Sequence, residues 1–204
     1  MRSRWLLVAI LAGGVAAQAQ TDVAASVYGA FSGTTSGNGT TQSPSNGAGV
    51  LLELRHISNP LVGYEATYSF NQADQTYTGG GVTCGIPCGN VVTPVTEHVP
   101  ANAHEITGDW IVSFKLLMVR PFLLAGGGLL VNVPSGGTTA ATMTQTKGVF
   151  VYGGGVDLSV LPHLGLRFQY RGNLYSAPQL ATAFSSTGAF MHTAEPMGGA
   201  YFRF

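Results

Sequence analysis

Apolar and polar residues alternate without interruption between residues 62 and 71. The even positions of this segment are mainly apolar or aromatic, and the odd positions are small or polar and include the carboxylate of Glu65. Side chains of a β-strand alternate between two faces, whereas a helix would mix both sets on every face. Residues 164–173 repeat the pattern, with leucine and aromatic residues set against Arg167 and Arg171. The pattern predicts two strands, each with one apolar and one polar face.

Weaker versions of this alternation mark six further segments. Four of them have a clear apolar face, and these are residues 50–55, 105–114, 150–160 and 200–204. Residues 22–31 and 119–133 are less decisive, because both of their faces carry apolar or small side chains. Eight strands are therefore predicted, but the facing of the first and fifth strands stays open.

The connections between these segments alternate in length. Those after the second, fourth and sixth segments are short, whereas the other four are long and rich in Gly, Ser, Thr and Pro, at residues 32–47, 72–103, 134–147 and 175–193. Short periplasmic turns and long extracellular loops are the rule for outer-membrane barrels. We therefore predict an all-β protein, an eight-stranded antiparallel up-and-down transmembrane β-barrel. Its even strand number places both termini in the periplasm and the long loops outside the cell.

The composition favours a membrane protein over a soluble one. Charged residues make up 9% of the 204 residues, whereas an ordinary soluble domain contains roughly 25%. A soluble protein with so few surface charges tends to associate, but a wall that faces lipid needs none. The 9 Lys and Arg residues balance the 9 Asp and Glu residues, so no basic surface is expected to attract nucleic acid.

The first nineteen residues are typical of a secretory signal peptide. Arg2 and Arg4 precede an apolar segment at residues 5–15, and Ala17-Gln18-Ala19 fits the small-residue cleavage pattern. A membrane-anchoring helix would need about 20 apolar residues, which this segment does not supply. We predict a cleaved signal peptide at residues 1–19 and a barrel domain at residues 20–204.

The predicted strands, the signal peptide and the ending Tyr201-Phe202-Arg203-Phe204 together resemble the OmpA/OmpX-type family of eight-stranded outer-membrane barrels. The resemblance covers essentially the whole mature chain and implies an outer-membrane location in a Gram-negative-type cell. It also implies contact with membrane lipid and lipopolysaccharide, and delivery by periplasmic chaperones to the barrel-assembly machinery. Phe202 and Phe204 look like the terminal signal that this machinery reads. An extracellular ligand of the long loops is a further expectation.

Nearly all charged residues of the predicted strands lie opposite the aromatic face. A Lys or Arg on the lipid face at mid-membrane would cost ~2–4 kcal/mol, so these charges are expected inside. An eight-stranded barrel has an interior just wide enough for side chains to fill, and charges enclosed there must pair to offset their desolvation. We predict a lumen charge network of Glu53, Arg55, Glu65, Glu105, Asp109, Asp157, Arg167, Arg171, Glu195 and Arg203, with Arg120 as a further candidate. A narrow ion path and acid–base catalysis by paired carboxylates are the alternatives.

The two cysteines, Cys84 and Cys88, lie four residues apart in the longest connection. In an oxidising compartment such a pair is expected to form a disulfide. His98 and His104 follow in sequence, but no metal-ligand spacing emerges, so neither a metal nor another cofactor is expected.

These features favour a non-enzymatic outer-membrane protein that supports envelope integrity or presents its loops for adhesin-like interactions. A small passive or gated channel is the first alternative. A lipid-modifying enzyme is another, and it would need His192 to act with Ser185 or Ser186, whose spacing matches no known signature. A secreted soluble β-sandwich would instead bury the apolar faces of residues 62–70 and 164–170 against each other.

Overall fold

The computed structural model describes residues 20–59, 61–83, 92–138 and 140–204. The predicted signal peptide, residues 1–19, lies outside this part of the chain, as do Cys84 and Cys88 of the predicted disulfide. Across these ranges, no helix has the length and apolar character needed to cross a membrane.

The described residues form twelve β-strands. They are β1 (Gln20–Ser32), β2 (Thr35–Gly37), β3 (Thr40–Pro44), β4 (Gly47–Ile57), β5 (Val62–Gln72), β6 (Gln75–Thr83), β7 (Val92–Val99), β8 (Ala101–Ser113), β9 (Val119–Pro134), β10 (Gln145–Ser159), β11 (Leu164–Ser176) and β12 (Phe190–Arg203).

Eight of these strands form a closed antiparallel barrel, which confirms the predicted fold class. The strands follow the order β1, β4, β5, β8, β9, β10, β11 and β12, and β12 pairs with β1 to close the sheet. Closure leaves no unpaired edge, so the backbone N–H and C=O groups of the wall can bond to neighbouring strands. The sandwich alternative is wrong, because the aromatic faces of β5 and β11 point outward from a single closed sheet, with Tyr64 51% and Phe168 49% exposed.

The strand register fixes the stagger of the barrel. A row of paired residues that starts at Phe31 of β1 passes through Ala194, Tyr152 and Trp110 and returns to β1 at Thr21, ten residues from its start. Such a stagger requires the strands to tilt, typically by about 35–45° to the barrel axis. With eight strands, the resulting lumen is narrow enough for side chains to fill it.

Alternate residues of each barrel strand face the lumen and the outside. The structure settles the two strands whose facing the sequence left open. In β1, Asp22 is fully buried in the lumen, and Val27 is 66% exposed on the outer wall. In β9, Phe122 points inward and Leu123 is 70% exposed outside. The outer wall is therefore apolar in both strands, as a lipid-facing surface requires.

The two ends of the barrel differ in construction. At one end, here called the turn end, short turns join β4 to β5, β8 to β9 and β10 to β11. The side chain of Asn59 shapes the first turn by accepting hydrogen bonds from the backbone N–H groups of Leu61 and Val62 at 3.0 and 2.9 Å. The opposite end, here called the loop end, carries the four long connections.

The expectation that residues 32–47 and 72–103 are simple surface loops is incomplete. They contain β2, β3, β6 and β7, which form a second antiparallel sheet in the order β2-β3-β6-β7, here called the loop-end sheet. Clusters of Gly, Ser, Thr and Pro indicate turns, but threonine also favours strands. Buried and partly exposed positions alternate in Thr40–Pro44, and apart from Pro44 the residues of both faces are polar. A hydrophobic pattern cannot reveal such a strand.

Gly126 and Gly108 give a matched test of how tightly the lumen is filled. Gly126 faces inward, where a Cβ atom would collide with the carboxylate of Asp109 and the backbone of β8. Gly108 faces outward, and a Cβ atom there would meet nothing within 4 Å. We expect Gly126→Ala to lower the free energy of unfolding by about 1–3 kcal/mol, the usual cost of overpacking. Gly108→Ala should change it by less than about 0.5 kcal/mol.

Urea titration of the refolded protein in detergent micelles, followed by tryptophan fluorescence, measures both changes. Equal unfolding midpoints for the two variants would contradict a densely filled lumen.

Candidate functional site

The lumen contains three fully buried arginines that hold the surrounding carboxylates in one network. Arg55 is the first of them and lies toward the turn end. Its Nε and Nη2 atoms donate to Glu65 Oε2 at 2.9 and 2.7 Å, which is a two-pronged contact with one carboxylate. Its Nη1 atom lies 3.4 Å from Asp157 Oδ2, and its Nη2 atom lies 3.8 Å from Glu53 Oε1. One guanidinium thus connects carboxylates from three strands.

Arg167 is the second arginine, and it joins β11 to three other strands. Its Nε atom donates to Asp157 Oδ1 at 2.7 Å, and its Nη2 atom donates to Asp22 Oδ1 at 2.9 Å. Its Nη1 atom lies 3.5 Å from Glu53 Oε2. Because Asp157 and Glu53 also contact Arg55, the two arginines belong to one continuous cluster.

Arg171 extends the network toward the loop end. Its Nη1 atom lies 3.1 Å from Asp109 Oδ2 and 3.4 Å from Glu65 Oε1. Its Nη2 atom donates to the hydroxyl of Thr107 at 3.0 Å and lies 3.8 Å from Glu105 Oε1. Glu65 contacts both Arg55 and Arg171 and therefore links the two parts of the network.

Aromatic rings complete the packing around these charges. The Arg55 guanidinium carbon lies 4.2 Å from the centroid of the Phe122 ring. The corresponding carbon of Arg167 lies 5.3 Å from the Tyr201 ring centroid. Arginine over an aromatic face gains a cation–π attraction, which is stronger where water is excluded. The network therefore fills the section of the lumen that it occupies with ion pairs and rings.

The structure brings together eight of the ten residues predicted for this network. Those with an oppositely charged group within 4.0 Å are Glu53, Arg55, Glu65, Glu105, Asp109, Asp157, Arg167 and Arg171. Asp22 also belongs to the network and was missed. Its neighbours in sequence are small or apolar on both faces, so the pattern did not assign it to the lumen.

Arg203 and Glu195 do not join the ion pairs as predicted. Arg203 is half-buried at the turn end, where its Nη2 atom lies 3.3 Å from the Tyr201 hydroxyl. Glu195 is 4% exposed and faces the lumen nearer the loop end. Among the described residues, neither has an oppositely charged group within 4.0 Å. The other candidate, Arg120, donates to the side-chain carbonyl of Gln20 at 2.7 Å.

A small cavity of about 30 Å³ lies in the lumen between the network and the loop end. Its walls are polar and include Glu105, Glu195, Asn173 and Tyr175. Residues of the loop-end connections, such as Ser45, line it on the side of the loop end.

One face of the loop-end sheet packs against the last long connection. Its buried side chains include Gln42, Tyr77 and Val99, and they meet Leu180 and Phe184 of that connection. The centroids of the Tyr77 and Phe184 rings lie 5.7 Å apart. This contact fixes the sheet to the remainder of the loop end.

Tyr77 anchors this packing through its hydroxyl group. The hydroxyl donates to the backbone carbonyl of Pro178 at 2.7 Å and accepts from the backbone N–H of Leu180 at 3.0 Å. Burial raises the pKa of Tyr77 to about 12, so the hydroxyl keeps its proton well above neutral pH. Both hydrogen bonds of the Tyr77 hydroxyl therefore hold the sheet in place at neutral pH.

The opposite face of the loop-end sheet is at least partly exposed and carries two rows of polar side chains, all of which bear a hydroxyl except His98. The strand register places Ser36, Thr41, Thr78 and Thr96 in one row that crosses all four strands. The second row consists of Thr34, Ser43, Thr76 and His98. Neighbouring members bond to each other, as Ser36 and Thr41 do at 3.0 Å and Thr78 and Thr96 do at 3.1 Å. No sequence pattern indicates this surface, because it arises only from the pairing of two separate connections.

The histidine that the enzyme alternative needs is engaged elsewhere. The Nε2 atom of His192 lies 3.0 Å from the hydroxyl of Tyr152 on the outer wall. The hydroxyl of Ser186 instead accepts from the backbone N–H of Gly188 at 3.3 Å. The positions of these groups give no support to a nucleophile and base pair between them.

The two terminal phenylalanines lie together at the turn end. Phe202 faces outward, and the centroid of its ring lies 5.3 Å from that of Phe204 and 6.1 Å from that of His163. Both rings are accessible on the surface, at 48% and 71% exposure. Their role as an assembly signal stays a prediction.

A family model described as the outer membrane protein beta-barrel domain matches residues 5–189 of the chain. No curated protein matches its sequence at a significant level. The family match covers most of the barrel and agrees with the closed eight-stranded sheet.

Solved structures of outer-membrane proteins share the fold. Neisserial surface protein A matches with a TM-score of 0.60 at 16% identity, over 90% of this chain and 97% of that protein. The outer membrane protein OprG from Pseudomonas aeruginosa gives a TM-score of 0.55 at 8% identity, over 92% and 97%. Ail, the attachment invasion locus protein of Yersinia pestis, gives 0.51 at 13% identity, over 92% and 99%. At such identities, the likeness concerns the fold alone.

Arg171 and Arg203 give a matched test of the network. Replacing Arg171 with methionine keeps a long side chain but leaves Asp109, Glu65 and Glu105 without this partner. Breaking a buried ion pair from one side typically costs about 3–5 kcal/mol, because an uncompensated charge stays behind. We expect Arg171→Met to lower the free energy of unfolding by that amount. Arg203→Met should lower it by no more than about 1 kcal/mol, because Arg203 makes no ion pair among the described residues.

Urea unfolding of both variants in lipid vesicles provides the measurement. If Arg203→Met lowered the free energy of unfolding as much as Arg171→Met does, the assignment of the network to the three fully buried arginines would be refuted.

Proposed function

Because the chain belongs to the outer membrane protein β-barrel domain family, we propose that it is a non-enzymatic outer-membrane protein with an adhesin-like role. In this proposal the barrel anchors the chain and the exposed face of the loop-end sheet makes the contacts. A second contribution is to envelope integrity, since the ion-paired lumen makes the barrel a rigid closed element. The hydroxyl rows of the loop-end sheet are the observation that carries the proposal.

The orientation follows from the difference between the two ends. Outer-membrane barrels have short turns on the periplasmic side and longer loops outside the cell. We therefore place the turn end and both ends of the barrel domain in the periplasm, with the loop end outside. In this orientation the loop-end sheet is the part that meets the surroundings of the cell, and lipid and lipopolysaccharide surround the apolar wall.

The network in the lumen supports an anchor more than a transport path. Arg55, Arg167 and Arg171 are each at most 1% exposed and are held by several carboxylates at once. Solute passage would require these contacts to break, which would leave buried charges without partners. The proposed activity therefore lies on the outside of the molecule and not along its axis.

The exposed face of the loop-end sheet offers a regular set of donors and acceptors. Strands in a sheet lie about 4.8 Å apart, and alternate residues of a strand are about 6.6 Å apart. The two rows thus form a grid of hydroxyl groups at about these spacings, with the imidazole of His98 at one corner. Each hydroxyl can donate one hydrogen bond and accept others. Such a surface is suited to a partner that itself carries many hydroxyl groups.

The charge of the loop end indicates which hydroxyl-rich partner fits. Sulfated and phosphorylated ligands are bound mainly through arginine and lysine. None of the four long connections contains an arginine, and Lys147 is their only lysine. The hydroxyl rows contain no charged group other than His98, which lies 3.8 Å from Asp74 and is charged only when protonated. We therefore propose an uncharged glycan as the partner.

The names of two structural neighbours fit a surface role. Neisserial surface protein A is named for its place at the cell surface, and Ail is named as an attachment invasion locus protein. The proposal also keeps the chaperones and the barrel-assembly machinery as partners during insertion, with Phe202 and Phe204 as the signal.

Hydroxyl removal in the middle of the grid tests the proposed function. Thr41 and Thr78 are paired across the two central strands of the loop-end sheet. The double variant Thr41→Val and Thr78→Val removes two hydroxyls but keeps side chains that favour strands. We expect its binding to immobilised neutral oligosaccharides to weaken at least tenfold, as two lost hydrogen bonds of about 1 kcal/mol each would allow.

The control variant is Thr146→Val, which removes an exposed hydroxyl from β10 at the same end of the barrel. It should bind as the unchanged protein does. Preferential binding of the unchanged protein to sulfated glycans, or no glycan binding at all, would overturn the proposed partner. Equal binding by the double variant and the control would overturn the proposed surface.

A further inference from the structure

The cavity between the network and the loop end is lined by oxygen atoms from several strands. Glu105 lies on β8, Asn173 lies on β11, and Glu195 and Thr193 lie on β12. Ser32 at the end of β1 adds another hydroxyl. Carboxylates, amide carbonyls and hydroxyls therefore converge on one small space inside the barrel.

Three of the oxygens at this cavity are buried without a hydrogen-bond partner among the described residues. They are Oε2 of Glu195, Oε1 of Glu105 and Oδ1 of Asn173. The three residues are at most 4% exposed, so bulk water does not solvate them. Buried polar atoms in native proteins are nearly always paired with protein, water or an ion. The arrangement thus points to a ligand that is attracted by oxygen.

The charge balance of the lumen points in the same direction. Four buried arginines, Arg55, Arg120, Arg167 and Arg171, face seven buried carboxylates, which are Asp22, Glu53, Glu65, Glu105, Asp109, Asp157 and Glu195. Arg120 and Arg203 lie at the turn end, away from this cavity. Glu195 has no Lys, Arg or His nitrogen within 4.0 Å among the described residues, and the guanidinium nearest Glu105 is 3.8 Å away. Negative charge is therefore least balanced where the unpartnered oxygens converge.

We propose that this cavity binds one hard divalent cation, of which Ca²⁺ is the best fit, between Glu105 and Glu195. Calcium takes six to eight oxygen ligands from carboxylates, amide carbonyls, hydroxyls and water in flexible geometry. The described residues contain no cluster of three or more His, Cys, Asp or Glu side chains arranged for a metal. The lining of the cavity contains no His or Cys, which are the usual nitrogen and sulfur ligands of zinc, and neutral oxygens must supply part of the coordination.

The size and position of the cavity agree with a bound ion. Its volume of about 30 Å³ exceeds the 10–15 Å³ that one water needs, so an ion with a water ligand can be accommodated. The Arg171 contacts bound the space toward the turn end, and residues such as Pro44 and the exposed Ser45 line it toward the loop end. An ion there would connect β8 and β12 across the lumen beneath the loop-end sheet.

Terbium luminescence tests the site directly. Tb³⁺ replaces Ca²⁺ at oxygen sites, and its emission is sensitised by a nearby tyrosine, here Tyr175 in the cavity wall. We expect the refolded protein in detergent micelles to give sensitised emission that Ca²⁺ displaces and Na⁺ at equal ionic strength does not. Calorimetric titration with Ca²⁺ should give one site per barrel.

Glu195→Gln is the principal variant, because it removes the unpaired charge and breaks no ion pair. We expect this variant to fold, which the mobility shift on SDS gels between boiled and unboiled samples would show. It should bind Ca²⁺ about tenfold more weakly or worse, because the number of charged ligands sets the affinity for calcium. Glu105→Gln should weaken binding in the same way. Asp74→Asn is the matched control, since Asp74 lies at the same end outside the cavity, and it should bind as the unchanged protein does.

Each outcome decides the proposal. The site is supported if the unchanged protein and the control give sensitised emission and a heat of calcium binding, and both glutamate variants lose these signals. No response in the unchanged protein would overturn it and leave the two carboxylates to share protons instead. A response that Glu195→Gln retains, or that Asp74→Asn loses equally, would place the ion outside the lumen and also overturn the proposal.

Discussion

The pairing of buried charges inside a closed sheet is the interaction on which this structure depends. The outer wall of the barrel is apolar, so nearly all charged residues of its strands must be accommodated within a narrow lumen. Arg55, Arg167 and Arg171 make this possible, because each contacts carboxylates from several strands. Loss of a single guanidinium would remove ion-pair contacts from several buried carboxylates at once. The network therefore couples strands that are far apart in the chain.

This arrangement separates the molecule into parts with different tasks. The wall meets lipid, and the ion pairs close the lumen from the turn end to about its middle. The two connections that form the loop-end sheet are then free to carry a polar surface, because the barrel does not need their side chains for its own core. Tyr77 fixes that surface to the last long connection through Pro178 and Leu180. The cavity with Glu105 and Glu195 lies where the two polar regions meet.

The sequence could predict the strands of the barrel wall better than the lumen network or the loop-end sheet. Alternation of period two in β5 and β11 defined both faces, because aromatic and charged side chains differ strongly. This alternation was weak in β1, where valine and alanine follow Asp22, so an important carboxylate was missed. The loop-end sheet was missed for a related reason, since buried and partly exposed polar residues alternate in Thr40–Pro44. Glu195 and Arg203 make no ion pairs because of the strand register and of their positions along the barrel axis. Neither of these can be read from the hydrophobic pattern of a single sequence.

If the ion-paired lumen is closed and the protein acts at its outer surface, the barrel should not conduct ions. The current across a planar lipid bilayer that contains the refolded protein measures this property. We expect no stable openings above the bilayer baseline at neutral pH, because Arg55, Arg167 and Arg171 fill the passage. Frequent, long-lived openings of the unchanged protein would contradict this expectation and would make a channel the better description.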